Sequence, residues 1–481
     1  MPMGSQPVRA ELLRPLVIGL LTLAQVACVR FTGIELIQAQ REIPRENEDS
    51  QFSAWPETEW WKAYEDKNLN RLVESALEAN PSIELADSRL RMAQSIASYA
   101  GATLKPRVDA GFESAWQRYS ENGLVPPSLG GSHEVDGRFA VDLRWEIDLF
   151  GKLRHAIAAT RRQVDVESIN RPIARLALAS AVASTYFRLA EAGAQREVVL
   201  ATIEQRRGIL KLVEARVALG VDSRVELMQA EGAIARAEEE LAATHEQVAL
   251  LRASLSRIAV VSLAETASLA PTLIELTAPQ LPDPIPSGLV ARRADIVAAQ
   301  WRIESIVHGI ESVKAEFYPS VNLASFAGFS ALGFDDLMKG SSGIYGLVPS
   351  VSLPLFDADR LRAKLGFVTA QGDMAIAQYN DTVLNAVQEV IHAITSIRAL
   401  RERQAAQQKA QAAAETAWQL AMQRYKAGLT GYLTVLSTES EVLRERRAAA
   451  ALKGRALTLD ISLKQALGGG IETTASALAH R

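Results

Sequence analysis

The sequence predicts a mainly α-helical chain that also supplies strands to a transmembrane β-barrel: long α-helical hairpins plus four β-strands, built as two internal repeats. Three observations carry this reading. Arg138 to Leu149 alternates strictly, with Phe139, Val141, Leu143, Trp145, Ile147 and Leu149 on one face and Arg138, Asp142, Arg144, Glu146 and Asp148 on the other. From Lys152 to about Leu219 the apolar period changes to three and four, and Ala, Leu, Arg, Glu and Gln dominate. The same order of patterns then recurs in the second half of the chain.

Soluble strands seldom run so long with a charge at nearly every polar position, whereas barrel strands do. About eleven residues at roughly 3.3 Å each, tilted by roughly 40°, cross the ~25 Å apolar band of an outer membrane. The helix that follows would be roughly 100 Å long at 1.5 Å per residue. Pro172 lies inside it, so a bend or break is expected near Asn170 to Ile173.

At the N-terminus, Arg9 and Arg14 precede an apolar run from Leu16 to Ala24 and the small Ala27, which reads as a secretory signal over residues 1–27. The run is shorter than the ~20 residues of a spanning helix. Cys28 is the single cysteine, which excludes an internal disulfide framework. Directly after an export signal it resembles the lipidated cysteine of bacterial lipoproteins, with Gln25 standing where that signal usually has an aliphatic residue. Residues 28–58, punctuated by Pro44 and Pro56, read as an extended arm.

The first repeat covers residues 59–285. Leu69, Leu72, Val73, Ala76 and Leu77 share a helix face, Asn80-Pro81 breaks the run, and a second helix follows from Ser82. A β-hairpin over 106–149 holds two strands around the Gly- and Pro-rich loop from Asn122 to Ser132. In its first strand Val108, Ala110, Phe112, Ser114 and Trp116 alternate with Arg107, Asp109, Glu113 and Gln117. A long helical hairpin over 152–260 turns at Gly220 to Ser223, where Gly220 suits a helix C-terminus and Ser223 with Glu226 makes a capping box. Its return helix spaces Leu241, Val248 and Leu255 seven apart, the seam of a coiled coil.

Residues 286–467 repeat this plan, with a β-hairpin over 319–355, a helical hairpin over 358–467 that turns at Gly428 to Gly431, and a tail over 468–481. Lys105-Pro106-Arg107-Val108 is matched by Tyr318-Pro319-Ser320-Val321, an offset of 213. Phe150 is matched by Phe356 at an offset of 206, and Arg216-Val217-Ala218-Leu219-Gly220 by Arg424-Tyr425-Lys426-Ala427-Gly428 at 208. Four strands cannot close a barrel, because single-chain bacterial barrels begin at about eight and open edges are not tolerated in lipid. Copies must therefore associate, and the strand count alone does not choose between two and three.

Composition removes other classes. A net charge of −4 with dispersed Lys and Arg gives no footprint for nucleic acid. The six histidines, His133, His155, His245, His308, His392 and His480, show no ligand spacing, and no nucleophile–base set is present. Neither a metal, a cofactor nor an enzymatic activity is expected.

Taken in order, these features resemble the outer-membrane factor family, the TolC- and OprM-like efflux lipoproteins of the NodT type. Trp60-Trp61 with Leu69, Leu72, Ala76, Leu77 and Asn80 is similar to the family's entry helix. Trp145 to Lys152 and Leu353 to Asp357 are similar to its strand-to-helix junctions, and Phe317-Tyr318-Pro319 and Ala466 to Gly470 to further signatures. Pro286 to Ile296 resembles its inter-repeat segment, with Ala294 where proline is usual. The resemblance implies a homotrimer, with a 12-stranded barrel in outer-membrane lipid continuing into a periplasmic tunnel. It also implies docking with a periplasmic adaptor and an inner-membrane RND-type pump, for export of small molecules such as drugs. The alternatives are a type I protein secretion duct and, in another class, a periplasmic coiled-coil scaffold or adaptor. Trp116, Phe139, Trp145 and Ile147 on outward faces argue against the scaffold.

In that family the hairpin turns close the tunnel through polar links and acidic rings. Tyr425 and Arg424 match the family's tyrosine and basic residue at this gate. Ser437 stands where many members carry an aspartate, so Glu439, Asp222 or Glu226 are the candidates to supply acidic charge.

Overall fold

The computed structural model describes residues 33–42, 57–274, 293–354 and 356–470. The expected signal segment, Cys28, most of the arm, the centre of the inter-repeat segment and the tail beyond Gly470 lie outside the described residues, as does Leu355 in the second junction.

A short 3-10 turn, Trp60–Tyr64, leads into α1, Lys67–Ala79, and α2, Pro81–Ala102. Strands β1, Arg107–Arg118, and β2, His133–Ile147, precede α3, Lys152–Ala218, and α4, Arg224–Ala259. Next come a one-turn α5, Leu263–Ala267, and α6, Ala294–Ala315. Then follow β3, Ser320–Leu332, the short α7, Phe334–Leu337, and β4, Gly343–Ser352. Helices α8, Ala358–Lys426, and α9, Tyr432–Ala466, complete the described chain. Strand β2 starts five residues before the alternating run does and stops at Ile147, because the turn at Asp148 to Gly151 takes over the backbone.

The described residues divide into two compact units that cut across the repeats. One draws on Met1–Gln40, Leu90–Val166 and Ala299–Gln378, and the other on Arg41–Arg89, Glu167–Ala298 and Tyr379–Arg481.

The first unit contains the sheet. All neighbours are antiparallel and the order is β1-β2-β3-β4, so β1 and β4 are its edges. Register sets the faces, since residues directly opposite each other share one. Phe112, Phe139 and Phe329 lie abreast, as do Ala110, Val141, Ala327 and Tyr345, and Trp145, Leu323 and Pro349. Arg107 with Arg144, Asp109 with Asp142, and Glu113 with Arg138 occupy the other face, where Arg138 pairs with Asp142 at 2.8 Å. One side of the sheet is thus largely apolar across all four strands, and apart from Arg118 at the end of β1 the charges lie on the first hairpin's other side. Between β3 and β4, α7 folds back so that Leu337 is buried beside Gly137. At the first junction Asp148 accepts from the Arg154 amide at 2.9 Å, capping α3, and Phe150 stacks on Tyr318 at 5.0 Å. From the arm, the amides of Ile37 and Gln38 donate to Asp373 Oδ1 at 2.8 and 2.9 Å.

In the second unit the entry segment is a core. Trp60, Trp61, Tyr64, Leu69, Leu72 and Val73 cluster with Tyr186, Phe187, Leu255, Leu457 and Ile461. Asp66 caps α1 by accepting from the Asn68 and Leu69 amides, and Tyr186 Oη donates to its other oxygen at 2.7 Å. Asn80 Nδ2 reaches Ile258 O at 2.8 Å, which ties the break between α1 and α2 to the end of α4.

Of the bend or break expected near Asn170 to Ile173, no break occurs: α3 runs unbroken for 67 residues with Pro172 inside it. An interior proline costs ~3 kcal/mol in a helix. Burial of Ile169, Leu178 and Ala179 on either side holds the helix against that loss.

A Cβ on Gly328 would meet Phe139 O and the Ala140 backbone well inside van der Waals distance, so only glycine permits this β2–β3 approach. Gly328→Val should therefore remove the heat-modifiable, membrane-embedded species, read as a loss of the folded band on unheated gels.

Candidate gate at the hairpin turns

The two helical hairpins of the second unit end in turns built alike. Gly220, at φ +71°, and Gly428, at φ +78°, sit in the left-handed region where a side chain would be strained. Each closes its helix by backbone bonds: Val221 N donates to Arg216 O at 2.9 Å, and Leu429 N to Arg424 O at 2.8 Å. Ser223 starts α4 as expected, its side chain capping the helix while its own amide donates to Glu226 Oε2 at 2.8 Å. Gly431 starts α9 without a side-chain cap.

Tyr425 is fully buried at the end of α8, within an apolar cluster of Ile209, Val213, Ala230, Tyr432 and Val435 drawn from both hairpins. Its hydroxyl donates to Asp222 Oδ2 in the first hairpin's turn. Arg216 completes the set: Nε donates to Asp222 Oδ2 at 2.9 Å, Nη1 donates to Tyr425 O at 3.1 Å, and the guanidinium lies 4.4 Å from the Tyr425 ring centroid. One carboxylate therefore ties the first turn to the second hairpin. Burial pushes the Asp222 carboxyl up, but hydrogen bonds from Arg216 and Tyr425, with the guanidinium charge, outweigh it and hold the carboxyl below the usual range. Burial, reinforced by the adjacent Asp222, pushes the Tyr425 hydroxyl up, so it remains a donor.

Arg424 lies outside this link. Its side chain is exposed, because on α8 it points away from the face that buries Tyr425. Arg216 supplies the cation instead. Its trace in the sequence is that it is the repeat equivalent of Arg424, 208 residues earlier.

Glu439 is buried rather than free to supply acidic charge. It is 2% exposed and paired with Arg206, itself 9% exposed, at 2.9 Å. Gln205 Nε2 donates to its second oxygen at 2.7 Å, and Arg206 Nη1 donates to Ala233 O at 2.6 Å. Such a carboxylate spans both hairpins inside one chain and presents no charge to a lumen. Neither Arg206 nor Gln205 was legible as its partner, since 233 residues separate Arg206 from Glu439. Ser437 is exposed and donates to Thr434 O at 3.0 Å in its own helix. Asp222 is held by Arg216 and Tyr425, and Glu226, partly exposed, is bonded to Ser223 in its own turn and held low by it.

Residues 72–259 and 285–469 match the family described as Outer membrane efflux protein. The multidrug resistance outer membrane protein MdtQ of Escherichia coli O157:H7 is 30% identical over 428 residues, 87% of this chain and 89% of that protein. MdtP of Shigella flexneri, also described as a multidrug resistance outer membrane protein, is 28% identical over 432 residues, 87% and 88% of the two chains. The structure of the outer membrane protein VceC from Vibrio cholerae superposes with a TM-score of 0.81 at 32% identity, covering 87% of this chain and all 100% of that one. The outer-membrane channel OprN agrees in fold, with a TM-score of 0.82 at 23% identity over 92% and 98% of the chains.

Two outcomes are expected. Glu439→Ala leaves the Arg206 guanidinium buried and unpaired and should lower unfolding stability by about 3–5 kcal/mol, measured from the urea midpoint in mild detergent. Because the Asp222 pKa is lowered on folding, its contribution is complete above the ordinary carboxylate range near pH 4 and is lost as pH falls through the lowered value. Asp222→Asn should thus remove part of the fall in melting temperature between about pH 6 and pH 3, seen by scanning calorimetry beside the parent protein.

Proposed function

We propose, from the premise that this chain belongs to the outer membrane efflux protein family, a homotrimeric channel that is shut at its hairpin turns by the Tyr425–Asp222–Arg216 link. The chain is an outer-membrane channel subunit of a multidrug efflux system, a conduit rather than an enzyme. A freestanding periplasmic scaffold is thereby set aside.

Three copies give twelve strands from the four in each chain, the arrangement that the family resemblance implies. The observation that carries the gate is the buried three-residue link itself. It joins the two hairpins at their turns by hydrogen bonds to an ionised group, each worth about 1.5–3 kcal/mol, and it can part without unfolding either helix. Beside it, Leu219, Val221, Leu429 and Leu433 are exposed around the two turns. Bare apolar side chains at both turns fit a docking surface for a periplasmic adaptor, behind which stands an inner-membrane RND-type pump. Names of relatives such as MdtQ and MdtP favour drugs over secreted proteins as cargo. Cys28 serves as the lipid-attachment site that holds the mature N-terminus at the membrane, a weak anchor next to a closed barrel.

Native mass spectrometry in mild detergent should give a trimer, and a stable monomer would overturn the assembly. In planar bilayers, Tyr425→Phe together with Arg216→Ser should raise single-channel conductance several-fold, since every chain loses its turn-to-turn link. Arg424→Ser alone should leave conductance near the parent value. Equal conductance in all three proteins would place the constriction elsewhere.

A further inference from the structure

We infer that His155 and His308 form a two-imidazole site for a divalent late transition metal, with Zn2+ the ion that fits their spacing. The site depends neither on the gate nor on the number of copies, since both ligands belong to one compact unit of one chain.

The backbone brings the pair together. Ser305 Oγ of α6 donates to Ala159 O of α3, and Ser312 Oγ donates to Lys152 O, each at 2.8 Å. Matching Ser305 with Ala159 and Ser312 with Lys152 makes the two helices antiparallel and clamps them about one turn to either side of His155 and His308. Between the clamps both half-buried rings turn the same nitrogen toward each other. Nδ1 of His155 stands 3.4 Å from Nδ1 of His308, the ring centroids are 5.7 Å apart and the planes are inclined by 33°. A Cβ on Gly151 would come to 3.1 Å from the His155 ring, so the glycine at the junction also leaves that ring its place. No spacing in the sequence reveals the pair, because 153 residues separate its members.

The distance selects the ligand. An ordinary hydrogen bond spans ~2.7–3.2 Å, so the two nitrogens stand too far apart to share a proton well. Two nitrogens bound at roughly 2.0–2.1 Å to one tetrahedral ion lie roughly 3.3–3.4 Å from each other, which is the separation found. Imidazole suits Zn2+, Cu2+ and Ni2+, whereas Mg2+ and Ca2+ take oxygen, and the tetrahedral spacing favours Zn2+ among them.

Among the described residues no third His, Cys, Asp or Glu joins the two around one point. Water therefore completes the coordination, and binding is weaker than at a four-ligand structural site. Entry is open, because His308 lines a groove of about 550 Å3 with Gln94 and Ser98 of α2 and Arg161, Arg162 and Asp165 of α3. Arg162 is offset by Asp165 and Glu304, each at 3.0 Å, and Arg161 is exposed, so its charge is screened by solvent. A bound ion ties the helix that leaves β2 to the helix that enters β3, where the repeats pair strand to strand.

Zinc itself is the probe. The full chain in mild detergent is stripped with chelator and equilibrated with graded Zn2+, and bound metal and melting temperature are measured. The parent should take up one more ion per chain than His155→Gln or His308→Gln, and only the parent's melting temperature should rise with Zn2+. His245→Gln, at an exposed position outside the site, should behave as the parent does. Equal uptake and equal melting in parent and site variants would mean adventitious binding only and overturn the site, as would no uptake by the parent. A readout on the parent alone keeps the result independent of how the variants fold. Zinc K-edge X-ray absorption at one ion per chain should show imidazole scattering, and a shell of oxygen alone would overturn the assignment.

Discussion

A backbone amide or carbonyl left without a partner in lipid costs several kcal/mol, and a four-stranded sheet leaves a row of them along each outer strand. That debt organises the whole chain. It forces β1 and β4 to be interfaces rather than margins, so neither the sheet nor the helices that flank it can be understood as a closed domain. The register supports the same conclusion, since the mainly apolar face extends from Trp116 and Phe112 on β1 to Tyr345 and Leu347 on β4. In a soluble monomer so broad an exposed face would be a liability.

The duplication follows from the same need. Each repeat contributes one β-hairpin, and an isolated hairpin is marginal at best. Here β2 of the first repeat pairs with β3 of the second over twelve residues, from Asp136 with Leu332 to Ile147 with Val321. The compact units consequently mix the repeats, and the repeat boundary visible in the sequence is not a boundary in packing. Division of labour survives inside the sheet: charges occupy the polar face of the first hairpin, whereas the second hairpin brings Ser, Ala, Gly and one aromatic, Phe326, which lies near the Arg138 guanidinium at 5.9 Å.

Most of the fold was legible because periodicity is a local property. Alternation gave β2, the period of three to four gave α3 and α4, and Ser223 with Glu226 gave the start of α4, since each signal lies within a few neighbouring residues. Pro172 predicts a break for the same reason: its local penalty is real, but burial of Ile169, Leu178 and Ala179 on either side, which the residues next to the proline do not reveal, holds the helix together. The candidate gate was legible only in part. Tyr425 and Asp222 could be singled out, whereas their joining could not, because 203 residues lie between them. Charge at Glu439 looked available for a lumen only while Arg206 was unplaced. A lone carboxylate on a helix reads as solvated, and nothing nearby in sequence reveals that a guanidinium comes from another hairpin.

Polar and apolar contacts do different work between the hairpins. The apolar cluster of Ile209, Val213 and Val435 is non-directional, so small slides of one helix on another cost it little. Arg206 and Glu439 are the opposite: both are buried, and separating them would strand two charges in a poor dielectric, so that level of the structure is held firmly. At the turns, Tyr425, Asp222 and Arg216 combine directional bonds with a position beside the exposed Val221 and Leu429. Arg216 and Asp222, 14% and 8% exposed, are less enclosed than Arg206 and Glu439 at 9% and 2%, so their link exchanges partners for water at lower cost. Stiffness one layer in and a breakable polar tie at the turn are together what an element with two discrete arrangements requires. A partner that binds the exposed apolar rim can shift such an element only if it grips one arrangement more tightly than the other.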